Sequence, residues 1–215
     1  MRVAVKITSG AKVFAPKKIE DLEEKRIVPK MMLRRRLTRN AKMMLYIADK
    51  CSFDGSKIVY ASAFGELQAT VGITDAILNE TQISPTLFQN SVYNSAPSYF
   101  SLLNGDKDEI LTISSGMQSA HDALQTAALQ ALLSHEKVLC VASECLDIEK
   151  IEEVKSCTSY LESAAGVVVE ISDNEEGAKE IEPITQEGII PSLHELFSVV
   201  EMLEKENELK VFVEL

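Results

Sequence analysis

The sequence predicts an α/β fold: a mixed, mostly parallel central sheet flanked by helices, with residues 1–215 forming a single domain. Three observations carry this expectation. Short apolar runs of strand length at 57–61, 137–143 and 166–171 lack the polar alternation of a sheet with one wet face, so they read as strands buried on both faces. Segments with helical spacing of apolar residues separate those runs, and alternation of this kind argues for crossover-linked strands. At 215 residues, 46% of them apolar, the chain is long enough to build one sizeable core around such a sheet.

The elements follow in order. Residues 3–15, "VAVKITSGAKVFA", are apolar at alternate positions for part of their length and read as a strand or hairpin. Thr38 is placed to cap a helix over 39–50, with Met43, Met44 and Ile47 on one side. Met31 and Met32 read as core filler alongside Met43 and Met44. After the strand at 57–61, residues 65–78 are helical, with Leu67, Val71, Ile73 and Ile77 apolar. Pro85 follows Ser84 near a helix start, and a further helical piece covers 94–103. A strand at 109–113 leads into a long Ala- and Leu-rich helix over 117–133. Beyond the strands at 137–143 and 166–171, the acidic, proline-containing segment 173–191 is a loop or linker. A helix over 192–205 and a strand over 209–215 complete the order.

Charge is uneven. The net charge is −11, yet residues 17–42 hold ten basic and four acidic residues, whereas residues 144–187 hold thirteen acidic and three basic. An acidic chain is a poor nonspecific nucleic-acid binder, because that binding depends on phosphate neutralisation. The basic stretch Arg34, Arg35, Arg36, Arg39 and Lys42 reads either as a solvated face or as a dock for an acidic partner. No apolar run is long enough to span a membrane, and the first ten residues are too alternating for a signal peptide. Cys51, Cys140, Cys145 and Cys157 form no CxxC pair and no His stands at ligand spacing from them, so no metal and no cofactor is expected. Cys140 and Cys145 read as buried thiols of a reducing compartment, which makes a cytoplasmic location the default.

The stretch "LTISSGMQSAH", residues 111–121, joins strand, tight turn and helix. Such a turn presents a nucleophile at a helix N-terminus, where the dipole favours developing negative charge. Ser114 is the obvious candidate here, but it lacks the G-x-S-x-G surroundings and a nameable base; its structural reading is a cap on the helix that follows. His121 reads as a structural histidine.

Six segments in order resemble the N-terminal half of the thiolase-fold ketoacyl synthases, over Ile58 to Ile171 and the stretch before it. "PKMMLRRRLTRNAKMMLYIA" is similar to the family's early arginine-rich stretch and helix, and "VYASAFGEL" to its early Gly-rich turn. "FQNSVYNSAPSYFSLLNG" resembles the SxxN(A/S)A segment near the active site and dimer interface. "ILTISSGMQSAHDAL" sits where the family has T-A-C-S-S-G. "HEKVLCVASEC" and "YLESAAGVVVEIS" resemble the next two strands. The resemblance implies a thiolase-like layered fold, N-terminal half only. It places Ile113 at the position of the nucleophilic cysteine, and isoleucine has neither lone pair nor ionisable proton. His121, His135 and His194 match neither catalytic histidine of the family, whose histidines lie in a second half that this chain is expected to lack.

What the resemblance then implies is a non-catalytic subunit of the chain-length-factor type, as in aryl-polyene and polyketide biosynthesis. Such a subunit pairs as a heterodimer with a full-length ketoacyl synthase and shapes its acyl tunnel. Tyr93, Asn94, Tyr99, Phe100, Ile113, Ser114 and Met117 are the expected interface or tunnel lining, and Arg34, Arg35, Arg36, Arg39 and Lys42 the expected dock for an acyl carrier protein. Tyr93 and Asn94 also read as packing and turn residues. Two alternatives stand beside this: a homodimeric scaffold or ligand-binding remnant, and a small hydrolase using Ser114 or Cys145.

Overall fold

The computed structural model describes residues 1–55, 57–105, 108–148, 152–156, 158–206 and 208–215; Cys157 lies outside them. In chain order the elements are β1 (Arg2–Ala15), α1 (Glu24–Ile27), α2 (Met31–Arg34), α3 (Arg39–Lys50), β2 (Lys57–Ala61), α4 (Leu67–Leu78), α5 (Pro85–Asn90) and α6 (Ser95–Asn104). Then come β3 (Ile110–Ile113), α7 (Ser119–Ser134), β4 (Val138–Cys145), α8 (Glu152–Lys155), β5 (Glu162–Ile171), α9 (His194–Glu204) and β6 (Leu209–Glu214). Short 3-10 turns at Gly116–Gln118 and Pro191–Leu193 precede α7 and α9.

One mixed sheet runs in the order β3-β2-β4-β5-β1-β6. β2 is parallel to β3 and β4, while β4 with β5, β5 with β1, and β1 with β6 are antiparallel. The α/β expectation holds, but "mostly parallel" is corrected: two of the five pairings are parallel. β1 to β4 do all point the same way, as helical crossovers between them require. β1, however, is inserted between β5 and β6, which run in the opposite direction. It is also one long strand rather than a hairpin, pairing with β5 through a bulge between Ile7 and Ser9 and with β6 along Arg2–Ile7.

Both faces of the sheet are covered. Val138, Cys140 and Ala142 of β4, with Val167 and Val169 of β5, join one core beneath α7 and α9. Leu139 and Val141, with Ala164 and Val168, join the other beneath α3. Every residue of β4 is buried, which is why its sequence shows no period of two. α3 starts where Thr38 Oγ1 accepts the Ala41 N–H at 3.1 Å. Its Met43, Met44 and Ile47 are fully buried. The helix lies so close to β5 that a Cβ on Gly166 would sit 2.6 Å from Ile47 Cγ2. Met31 and Met32 are not core filler, being 52% and 73% exposed on the single-turn α2.

Segment 173–191 is a loop, and a pinned one. Glu201 of α9 accepts hydrogen bonds from Thr185 N at 2.8 Å, Thr185 Oγ1 at 2.6 Å and Gln186 N at 3.1 Å. Ile181, Ile184, Ile189 and Ile190 pack onto the α7–α9 core, and Lys179 bridges to Val211 of β6.

Candidate functional site

The strand–turn–helix unit lies at the C-terminal end of β3, an edge strand. Ile113 is half-buried and packs against the α7–α9 core, and its carbonyl accepts the Ser62 N–H from the end of β2 at 3.2 Å. Ser114 to Gln118 are exposed, and Gly116 takes a left-handed conformation (φ 57°) that turns the chain into the 3-10 segment. The capping role read for Ser114 is corrected. The 3-10 turn moves the start of α7 to Ser119, and it is the Ser119 hydroxyl that closes the turn, accepting from Ser115 N at 3.0 Å and donating to Gly116 O at 2.6 Å. Among the described residues the Ser114 side chain has no hydrogen-bond partner. The histidines are engaged elsewhere: His121 with Gln125 and Glu195, His194 with the Ile189 carbonyl, and His135 at the left-handed end of α7.

Directly behind the turn is a buried polar network that the sequence reading passed over. Glu144, at the C-terminal end of β4, is fully buried. Its carboxylate accepts from Ser62 Oγ (2.9 Å), Ala63 N (2.5 Å), Phe64 N (3.3 Å) and Ser192 Oγ (3.0 Å). Burial outweighs these donors and pushes its carboxyl up to about 7. Glu66 is 7% exposed, accepts from Thr38 Oγ1 at 2.7 Å, and is pushed up to about 7 by burial as well. Between them Tyr60 OH, Ser143 Oγ and Asn40 form a chain that ends on the Gly65 carbonyl. A signal was present: "VASEC" ends an apolar run on a carboxylate, and a charge on a two-face-buried strand must find donors. These residues set the loop after β2; they do not supply a base to Ser114.

Of the predicted lining residues, Asn94, Ser114 and Met117 are exposed. Tyr93 is 43% exposed, stacks over Gly65, where the added Cβ would lie 3.0 Å from its ring, and donates to the Ala63 carbonyl at 3.3 Å. Phe100 is 5% exposed inside the α3-side core, and Tyr99 is half-buried against it with its hydroxyl on Asn90 Oδ1. The basic stretch divides in the same way. Arg39 grips Glu162 at 2.6 and 2.5 Å, Lys42 pairs with Glu24 at 3.1 Å, and Arg34 donates to the Val28 and Pro29 carbonyls. Arg35 and Arg36 alone of the five are exposed. Cys145 is buried and burial pushes its thiol up to about 12, which removes it as a nucleophile at neutral pH.

Residues 12–205 match the family described as the beta-ketoacyl synthase N-terminal domain, and the chain belongs to that family. No curated protein matches it. Among solved structures, the chain is similar to a ketosynthase (ApeO) in complex with its chain length factor (ApeC) from Xenorhabdus doucetiae. That match has a TM-score of 0.64 and 24% identity over 79% of this chain and 80% of the other. The ishigamide ketosynthase/chain length factor gives 0.62 at 14% identity, and a type II polyketide ketosynthase with its acyl carrier protein (AntDE:AntF) gives 0.61 at 16%. In those two the chain spans 63% and 64% of the solved chain. At such identities the likeness is one of fold. No helix among the described residues is long and apolar enough to cross a membrane.

Proposed function

We propose that this chain is a non-catalytic ketoacyl synthase-like subunit that pairs with an active ketoacyl synthase and helps shape its acyl tunnel, the role of a chain length factor. The observation that carries the reading is Ile113: the strand–turn–helix of a condensing enzyme is built around a side chain that forms no thioester. Two surface features support a partner. Among the described residues β3 is an edge strand that pairs only with β2, which leaves one side of its backbone as a ready template for another chain. Residues 67–104 contain only two charged side chains, Asp75 and Glu80, and Ile77, Leu78, Phe88, Tyr93 and Leu102 are exposed there; charge depletion with exposed apolar groups marks interface cores. Tyr93, Asn94, Ile113, Ser114 and Met117 are the residues that reach the partner or its tunnel. Arg35 and Arg36 are the exposed cations of the basic stretch that are offered to an acidic carrier protein.

Co-expression with a full-length ketoacyl synthase from the same gene neighbourhood, purification on one tag and light scattering test the pairing. A one-to-one heterodimer whose condensation activity needs both chains is the expected result. A homodimer or monomer that ignores the synthase overturns it and leaves a stand-alone scaffold.

A further inference from the structure

The helical pair α4–α5 is an arm held mainly at its root. α4 buries only Ala69 and α5 buries nothing, while the two helices pack on each other through Gly72 and Leu87. The root, residues 62–66, is held by two buried carboxyls. Glu144 binds Ser62, Ala63 and Phe64 at once, and Glu66, which immediately precedes α4, is held by the Thr38 cap of α3. Neither carboxyl has a cation within ion-pair distance among the described residues. Burying an ionised carboxylate without a counter-charge is costly, and exposing it to water removes that cost.

We propose that Glu66 and Glu144 form a proton-sensitive latch on the α4–α5 arm, closed while they hold their protons and released as they ionise. The surrounding ionisable groups do not compensate. Tyr60 of β2 and Cys145 of β4 are themselves held neutral by burial, as is the half-buried Tyr99 of α6. The nearby cation Arg39 is already committed to Glu162, and the exposed Arg36 is in no ion pair with either carboxyl among the described residues. Linkage fixes the sign. In the closed state both carboxyls titrate near 7, whereas in an opened, hydrated root they return to about 4.5, so opening is favoured as pH rises and levels off above 7. The latch is a property of the chain itself and does not depend on a synthase partner.

Native-state hydrogen exchange of the full chain at pH 6, 7 and 8, corrected for intrinsic exchange rates, tests it. Relative to peptides from β4 and β5, opening of peptides within 67–90 is expected to rise about tenfold per carboxyl from pH 6 to pH 8. Glu66→Gln and Glu144→Gln are each expected to flatten that rise. An arm whose relative opening is independent of pH overturns the proposal, as does a pH dependence that both variants retain. Should Glu144→Gln fail to fold, the wild-type series and Glu66→Gln decide the question.

Discussion

At the scale of single residues, buried charge governs this protein in two opposite ways. Glu162, with its side chain 2% exposed, has its charge matched by Arg39 through two hydrogen bonds and also accepts the Ile19 N–H at 2.7 Å. Removing one partner strands the other, so Arg39→Ala is expected to cost about 3–5 kcal/mol in urea unfolding. Glu144 and Glu66 have no such cation among the described residues, and burial raises both. A group whose folded value lies above its unfolded value stabilises most below the unfolded value. The contribution from these two is therefore complete below about 4.5 and lost by about 7. The urea midpoint is expected to fall as pH rises across that window, and the fall to shrink in Glu66→Gln. Thr38 was legible as a helix cap because capping is a local matter. That its hydroxyl also serves Glu66, 28 positions away, was not.

At the scale of elements, the strands were readable because burial on both faces leaves an uninterrupted apolar run, and α3 because its cap and apolar stripe coincide. The single-turn helices α1, α2 and α8 carry too few residues for a period to show. The start of α7 was misplaced because a 3-10 turn and an α-helical turn have the same composition, and the difference lies in which hydroxyl closes the turn. Gly166 illustrates packing that no propensity encodes. A Cβ there would also sit 2.8 Å from Val141 Cγ2 and 2.9 Å from the Cys140 carbonyl, so both α3 and the neighbouring strand β4 must shift to admit it. Gly166→Ala is expected to destabilise by about 1–3 kcal/mol, seen as a lower thermal midpoint with unchanged far-ultraviolet circular dichroism.

At the scale of the whole molecule, the basic stretch separates into cations that hold the fold and cations that face water. Arg39 and Lys42 are consumed by Glu162 and Glu24, whereas Arg35 and Arg36 are exposed and in no ion pair among the described residues. Arg35→Glu with Arg36→Glu is expected to leave the unfolding midpoint within about 0.5 kcal/mol of wild type. The same double change is expected to weaken capture of an acidic carrier protein at low salt, read by calorimetry. Carrier binding that survives the double change would remove that surface from the proposed assembly.

By itself the sequence determined the α/β class and the places of its six strands and principal helices. Each of these depends on local chemistry: an apolar run or a cap. Only the tertiary structure decided that β1 enters between β5 and β6 and so makes most pairings antiparallel, because alternation along the chain sets a strand's direction and not its neighbours. It likewise decided that Phe100 belongs to the core, that Arg39 is spent on Glu162, and that two carboxyls gather at the root of the α4–α5 arm. Those outcomes rest on partners that lie far apart in sequence and meet only when the sheet has formed.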